Sequence, residues 1–432
     1  MGLSITGQQQ DTLRDALVRE MKNKEVTATM IASAKDISLV NLSRMLGGSR
    51  TFSLEILDAV TEVLELPAGH FYPYYIKECW AKEGNRLRKK TEEYVIRCLE
   101  LGLMNLVQNM MNELTAIPGN LQTVFSIGET LFGMGRQDES LPFYEKVIEK
   151  ETNRLSTDLA VSYYRRFLIV RDRDMVTAFE AAVKLTDYIQ NIKGLLRTEA
   201  YHKILAVFYT TEHWSAVEKY SKDLEDYVTG TDLIAYGGAL YYQAVAARAK
   251  QEYQKALSLI EKYGTGISDM YTLWAEGNRM VVQILSGETQ MVYKLMDFIK
   301  RNTDRYRYLD TVLQALVREN RFEEVDKFMF DFEEQINKLF LITDPVTVKH
   351  AINFTYHKAL YLLKRGQELE GVAVAIDALQ LATQYKISVD IIRCFKLILR
   401  SSRTLSDDQV SECIKALEEY ETTSASDTIC II

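Results

Sequence analysis

Apolar residues recur along this chain with the period of an α-helix, and the first clear example lies near its start. Between residues 26 and 66 they occur at every third or fourth position, and short polar breaks separate three segments that are each too short to bury a core alone. Thr27, Ser38 and Ser53 stand directly before these segments, where their side chains can cap the first turn of a helix. The pattern therefore predicts a small helical bundle whose second helix ends at Gly47-Gly48.

A second pattern, of helices in pairs, extends over about residues 90 to 422. Five stretches, among them "AKQEYQKALSLIEKY" and "RENRFEEVDKFMFDF", resemble the second helix of "LFGMGRQDESLPFYEKVIEKE". Small or slim residues near the start of this helix recur at roughly 34 to 40 residues, the spacing of tetratricopeptide-like helix pairs. These marker residues are Ser140, Ala178, Ala216, Ala256, Val292, Val325 and Val372. Because a pair has one face that it cannot bury alone, we expect the pairs to stack into a superhelix whose inner groove presents the first helix of each.

Together the two patterns predict an all-α chain, with an N-terminal helix-turn-helix domain followed by a right-handed superhelix of tetratricopeptide-like helical hairpins. After residue 150 the only proline is Pro345, which stands in a break between helices. The expected order is a helix-turn-helix domain in 1–66, a linker and connecting helix in 67–90, a repeat domain in 91–400 and a capping or dimerisation segment in 401–432.

The N-terminal segment "VTATMIASAKDISLVNLSRMLGG" reads as a helix, the short turn "AKDIS" and a second helix. This geometry places the second helix in the major groove of DNA. Its outward positions carry side chains able to contact a thymine methyl group, an adenine edge and a guanine edge, and two residues just beyond it can contact phosphates. The candidate DNA-binding residues are Thr27, Ser38, Leu39, Val40, Asn41, Ser43, Arg44, Arg50 and Thr51.

The charge of this segment differs from that of the rest of the chain. The whole chain has a net charge of -8, whereas residues 22–50 carry five basic and two acidic side chains, a local net charge of +3. A locally positive surface is what the release of counterions from DNA requires, and three charges give weak affinity per protomer. The expectation is therefore a homodimer on a double-stranded DNA operator. A three-helix cap on a helical protein would show the same apolar period.

The inner groove of the repeats is the expected site for a short peptide. With Ala256 as the register mark, we can assign the positions on the first helices that face the groove. Asparagine and glutamine there can hold an extended peptide through both donor and acceptor groups, and a charged pair can select for charge. Each residue alone also fits a solvated polar face. The candidate peptide-binding residues are His202, Tyr241, Asn278, Arg279, Asp310, Gln314, Asn353 and His357.

Composition and motifs narrow the remaining classes of function. The chain is 47% hydrophobic and 26% charged, and it has neither an apolar run close to the ~20 residues of a membrane span nor a secretory signal, so a cytoplasmic protein is expected. Its five cysteines show no Cys-x-x-Cys spacing. His350 and His357 are two helical turns apart but lack a third ligand, and no catalytic or phosphate-binding motif occurs. We therefore expect no enzyme, no metal and no cofactor.

The stretch "ISLVNLSRMLGGSRTFSLEILDAVTEVLEL" resembles the second half of a lambda-repressor-like helix-turn-helix domain. In that family an Ile-Ser pair begins the recognition helix, and a Gly-x-Arg-x-x-Ser-Leu-x-x-Leu run joins it to the next helix. Ala28 and Leu39 depart from the family pattern, because the family often has glutamine at these places. The matching residues are Gly48, Arg50, Ser53, Leu54 and Leu57.

A lambda-repressor-like domain followed by tetratricopeptide-like repeats resembles the RRNPP family of peptide quorum-sensing regulators of Gram-positive bacteria, their phages and their plasmids. Within it, the run "LELPAGHFYPYYIKECW" at 64–80 is similar to the arbitrium-type receptors (AimR). The resemblance implies a cytosolic homodimeric transcriptional regulator that binds an operator with two recognition helices and a short, secreted and re-imported signalling peptide in its groove. A peptide that prefers one curvature of the superhelix would then change the spacing of the two DNA-binding domains.

Two other functions stay open from the sequence. The first is an adaptor whose groove holds a protein partner and whose N-terminal domain is a degenerate cap that does not bind DNA. The second is a scaffold without any small ligand, for which no short peptide would shift the thermal unfolding.

Overall fold

The computed structural model describes residues 12–80, 87–228, 230, 232–401, 408–416 and 418. Every regular element among these residues is a helix, as the apolar period predicts. Among the described helices, none combines the length and the apolar character that crossing a membrane requires. The chain divides into two compact units, Met1–Ile169 and Val170–Ile432.

The first unit begins with four short helices whose starts are set by capping side chains. The hydroxyl groups of Thr27, Ser38 and Ser53 accept hydrogen bonds from backbone N–H groups three residues later, at 3.3 to 3.4 Å, so the predicted caps are present. Lys35 and Gly47 end the second and third helices. The four helices are α1 (Leu13–Asn23), α2 (Ala28–Ala34), α3 (Leu39–Leu46) and α4 (Leu54–Val63).

The core of the first unit joins these four helices to the segment that follows them. Glu78, only 6% exposed, accepts hydrogen bonds from Arg14 Nη1 at 2.8 Å and from the Phe52 backbone N–H at 3.2 Å. The hydroxyl of buried Tyr75 donates to the Phe52 carbonyl at 3.1 Å. The described part of the predicted linker 67–90 therefore shares one core with the predicted domain 1–66.

The rest of the first unit consists of longer helices in hairpins. α8 and α9 pack closely because Gly128 lies against Tyr144, where an added Cβ would be 3.1 Å from the ring. The marker residue Ser140 is buried in this hairpin. These helices are α5 (Tyr72–Tyr75), α6 (Arg88–Glu100), α7 (Met104–Thr115), α8 (Leu121–Gly133), α9 (Gln137–Lys150) and α10 (Thr157–Val170), with 3₁₀ turns at Ile76–Cys79 and Pro118–Asn120.

The second unit is a series of helical hairpins of the tetratricopeptide-like kind. Its first six helices are α11 (Met175–Thr186), α12 (Leu195–Thr210), α13 (Trp214–Val228), α14 (Leu233–Ala249), α15 (Tyr253–Gly264) and α16 (Asp269–Ser286). The next seven are α17 (Met291–Arg301), α18 (Leu309–Arg318), α19 (Phe322–Asp331), α20 (Glu333–Leu341), α21 (Pro345–Lys364), α22 (Glu368–Gln384) and α23 (Ser388–Arg400). Short 3₁₀ turns lie at Ile189–Asn191 and Tyr306–Tyr308.

The marker residues of the second unit lie in its core, with one shift of register. Ala178, Ala256, Val292, Val325 and Val372 are all fully buried. In α13, however, Val217 is buried and Ala216 is half-buried, because the helix begins at Trp214 and its fourth residue faces the partner helix. The marker in α13 is therefore Val217.

The start of α11 contacts the turn between α22 and α23, which the sequence did not predict. The Met175 N–H donates to the Tyr385 carbonyl at 3.2 Å, and Lys386 Nζ lies 3.2 Å from Asp174 Oδ2. α12 also packs against α21. The series of hairpins thus closes on itself. Most of the predicted capping segment 401–432 lies outside the described residues.

Candidate functional site

A cavity of about 810 Å³ lies on the inner side of the second unit, a volume typical of ligand sites. The first helices of successive hairpins, α12, α14, α16, α18 and α21, supply most of its lining. The rest comes from the 3₁₀ turn at Tyr306–Tyr308 with the two residues before it, from the turns that follow α12 and α14, and from single residues of α13, α15 and α23. The cavity therefore occupies the place at which the sequence predicts a peptide groove.

Six of the eight candidate peptide-binding residues line this cavity. They come from four different helices, α14, α16, α18 and α21, so the fold brings together side chains that are far apart in the sequence. The six residues are Tyr241, Asn278, Asp310, Gln314, Asn353 and His357.

The other two candidates, His202 and Arg279, do not line the cavity. The His202 ring packs against Gly238 of α14, where it would meet any added Cβ, and this burial lowers the pKa of His202. Arg279 is exposed because it directly follows Asn278, and one residue along a helix turns a side chain by about 100°. Neither residue is placed to contact a ligand in the cavity.

The amide side chains in the cavity differ in whether they already make hydrogen bonds within the protein. Asn278 Nδ2 donates to the Tyr263 hydroxyl at 3.0 Å, and Asn353 Oδ1 accepts from Arg393 Nη1 at 2.6 Å. Gln314 makes no hydrogen bond through its side chain to any residue that the structure describes, so its amide is available to a ligand backbone.

An acid-histidine-tyrosine chain connects α18, α21 and α12 on the cavity wall. His350 Nδ1 lies 2.9 Å from Asp310 Oδ2, and His350 Nε2 lies 3.2 Å from the Tyr209 hydroxyl. Burial alone would raise the pKa of Asp310, but His350, His357 and the Thr311 backbone N–H together more than offset this, so the pKa is lowered and the carboxylate stays ionised. The chain fixes the His350 ring between α18 and α12, and Tyr209 is 141 residues from His350 in the sequence.

A second polar network joins the turn between α12 and α13 to α21 and α23. Lys349, 4% exposed in its side chain, is 2.9 Å from Glu212 Oε1 and 3.2 Å from Oδ2 of fully buried Asp390. Arg393 lies 2.9 Å from the same Glu212 oxygen and 3.2 Å from Asp390 Oδ1. Two cations thus face two anions, and the network is balanced in charge.

Tyrosines and arginines line the cavity together. Burial raises the pKa values of Tyr209 and Tyr241, and two guanidinium groups, those of Arg248 and Arg307, act on both tyrosines in the opposite direction. Tyr241 also packs against Trp274, with ring centroids 5.3 Å apart. The lining therefore combines aromatic surface with positive charge.

Sequence reasoning missed several lining residues of this kind. Arg305 and Arg307 lie in and beside the 3₁₀ turn, and the alternating run "DRYRY" was the available signal for them. Lys349 and Arg393 line the cavity because the last hairpins of the second unit contact its first ones. Neither helical period nor repeat spacing in a sequence predicts such a contact.

The candidate DNA-binding residues lie around α3. Leu39 is 41% exposed and Val40 is 60% exposed, and Ser43 and Arg44 are exposed as well. Thr27 and Ser38 act as caps. In addition, Arg50 Nη1 donates to Asn41 Oδ1 at 2.9 Å, and Lys90 Nζ donates to the Thr51 hydroxyl at 2.8 Å.

Neither the histidines nor the described cysteines form a metal site in the part of the chain that the structure describes. No group of three or more His, Cys, Asp and Glu side chains is placed there to hold a metal ion. Four of the five cysteines, Cys79, Cys98, Cys394 and Cys413, are buried and form no disulfide within the described part of the chain, and Cys430 lies outside it.

Comparison with known proteins yields distant structural likenesses only. No protein-family model matches the chain, and no curated protein matches it. Among solved structures, yeast Tom70 is similar over 96% of both chains, with 13% identity and a TM-score of 0.39. A monomeric mutant of IFIT1 with m7Gppp-AAAA is similar over 95% of this chain and 94% of its own, with 13% identity and a TM-score of 0.34.

Proposed function

We propose that this chain is a peptide-switched transcriptional regulator of the RRNPP type, with a short signalling peptide bound in the cavity of the second unit. The observation that carries the proposal is the cavity of about 810 Å³ on the inner side of the first helices. Its walls offer aromatic surface, charged groups and a free amide at Gln314, the features that hold a peptide by its backbone and its charge.

The DNA-binding part of the proposal rests on the surface of α3. Apolar side chains such as Leu39 and Val40 are usually buried, yet here they are exposed beside Arg44 on a short capped helix. In a major groove they would meet thymine methyl groups, and Arg44 would reach a guanine edge. The local charge of +3 in residues 22–50 supports binding to phosphates.

We further propose that two protomers act together. A charge of +3 per protomer gives weak affinity for DNA, and two recognition helices on one operator double the contacts. The peptide acts on this dimer only through a difference in its affinity for the DNA-bound and DNA-free states.

The decisive experiment is selection of genomic fragments from the organism that encodes the protein, by the purified full chain at stated salt, with and without pools of short peptides. Specific fragments whose retention changes with a peptide are the expected result. If a folded protein selects no fragment at any salt, the DNA-binding part of the proposal fails.

A charge-reversal pair sharpens the test. Arg44→Glu is expected to abolish selection of fragments, because it places a negative charge on the proposed DNA surface. Arg279→Glu makes the same change of charge at an exposed site outside the cavity and should leave selection unchanged. Equal loss in both variants would indicate an effect of net charge alone.

An adaptor that binds a protein partner is the second candidate. It is favoured by the internal hydrogen bonds of three proposed DNA contacts, since Asn41 bonds to Arg50 and Thr51 bonds to Lys90. For an adaptor, Arg44→Glu would leave partner binding intact.

A further inference from the structure

We propose that the ligand of the cavity carries a free carboxylate and that Arg248 is the residue that binds it. This inference rests on the proposed function, because it takes the cavity to be a peptide site. It adds the chemical class of the group that is recognised and the position at which it is held.

Most charged groups of the lining already have partners. Lys349 and Arg393 face Glu212 and Asp390, and Arg305 lies 3.4 Å from Asp304. Arg307 lies 3.1 Å from Asp344. These pairs leave little charge for a ligand to neutralise.

Arg248 is the exception among the half-buried cations of the lining. Within the described part of the chain, its side chain makes neither an ion pair nor a hydrogen bond. Arg318 also makes no ion pair there, but it is exposed and its Nη2 donates to the Ile284 carbonyl at 3.1 Å. A partly desolvated guanidinium without a counter-charge is costly, and an anionic ligand removes that cost.

The surroundings of Arg248 fit a carboxylate. Arg248 lowers the pKa values of Tyr209, Tyr241, Tyr263 and Tyr308, and burial raises all four by more, so their hydroxyl groups stay protonated. Protonated tyrosines donate hydrogen bonds to anions, and a guanidinium binds a carboxylate with two parallel N–H···O bonds. Arg307 lowers the pKa values of Tyr209, Tyr241 and Tyr308 as well, but Asp344 already pairs with it, so Arg248 remains the cation of this wall without a counter-charge among the described residues.

A peptide has two sources of carboxylate, its C-terminus and its Asp or Glu side chains, and both share this chemistry. The probe is therefore a set of three pools of hexapeptides offered to the full-length protein. The first pool has free C-termini and no acidic residues, the second is amidated and contains acidic residues, and the third is amidated and contains none. Retained peptides are identified by mass spectrometry after rapid gel filtration.

The expected result is retention from the first or second pool and none from the third. Arg248→Gln should weaken binding of a retained peptide by about 10- to 100-fold, the scale of a hydrogen-bonded charged pair. Arg248→Lys, which keeps the charge but not the planar donor pair, should lose less. Arg279→Gln removes the same group at an exposed site outside the cavity and should bind normally.

The outcomes separate this inference from the proposed function. Equal retention from all three pools, or normal binding by a folded Arg248→Gln variant, overturns the role of Arg248 and leaves peptide binding intact. If no pool is retained, peptide binding itself fails. Retention of a 5′-phosphorylated hexanucleotide in place of the peptides would assign the positive wall to a nucleic acid and overturn the inference.

Discussion

Individual residues in the polar network around Lys349 hold the second unit closed. Lys349 and Asp390 are almost fully buried, so each charge is stabilised by the opposite charge beside it. Glu212 contacts Lys349 and Arg393 from the turn between α12 and α13. A buried ion pair adds little net stability compared with well-packed apolar residues, but loss of one partner leaves the other charge buried and unpaired. The network therefore favours the closed arrangement strongly once it has formed.

Removal of the Lys349 ammonium group should destabilise the protein markedly. We expect Lys349→Met to lower the free energy of unfolding by about 3 kcal/mol, because Glu212 and buried Asp390 then share one cation, Arg393, instead of two. Urea denaturation measures the change. Lys349→Met with Asp390→Leu should recover part of the loss, and Lys338→Met, which breaks an exposed pair, should cost less than about 0.5 kcal/mol. Similar losses for Lys349→Met and Lys338→Met would show that burial does not strengthen the first pair.

The same network predicts a dependence on pH. Burial alone would raise the pKa of Glu212, but Lys349 and Arg393 more than offset this and hold the pKa below its usual value. A carboxyl whose pKa is lower in the folded state contributes stability above its unfolded pKa of about 4.3 and loses it as the pH falls through the folded value. The stability difference between the wild type and Glu212→Gln should therefore be largest near neutral pH and shrink below about pH 4. Denaturant titrations of both proteins across this pH range measure the difference. A stability difference that stays constant with pH would mean that the charge of Glu212 does not contribute to stability.

At the scale of the helices, glycines set how closely the first helices of the hairpins approach. Gly238 of α14 lies against the His202 ring of α12. At Gly277 of α16, an added Cβ would be 2.7 Å from the Tyr308 ring on the cavity wall. Space rather than backbone conformation requires glycine at these sites, since both lie within helices. The cavity keeps its shape because these helices are in near contact.

A methyl group at Gly238 should therefore be harmful, although alanine favours helices. Gly238→Ala should lower the free energy of unfolding by about 1 to 3 kcal/mol, because the gain in helix propensity of up to about 1 kcal/mol does not offset the overlap with His202. Gly133→Ala, at the exposed end of α8 with nothing near its Cβ, should cause no loss. Thermal unfolding of both variants measures these effects. An unchanged midpoint for Gly238→Ala would show that His202 moves aside freely.

The helices also show what the sequence could and could not predict. Thr27, Ser38 and Ser53 were found as caps because capping is a local effect of a few residues. The inner face of α14, α16, α18 and α21 followed from helical period, which is why Tyr241 and Gln314 were assigned to the groove that the cavity occupies. Arg393 was missed because its place in the cavity depends on a contact with Glu212, 181 residues earlier. A contact between residues so far apart produces no periodic pattern in the sequence.

For the whole molecule, the proposed function predicts a quantitative relation between the affinities for peptide and for DNA. If a peptide in the cavity changes the affinity of the protein for DNA, then DNA must change the affinity for the peptide by the same factor, because both ratios belong to one thermodynamic cycle. A tenfold change corresponds to about 1.4 kcal/mol of coupling. We expect the two ratios, from fluorescence anisotropy of labelled peptide and of labelled DNA at one salt concentration, to agree. Arg248→Gln should weaken the peptide in both states and leave the affinity for DNA alone unchanged. Unequal ratios would mean that the peptide acts on DNA binding by some route other than a shared equilibrium of the folded protein, such as aggregation.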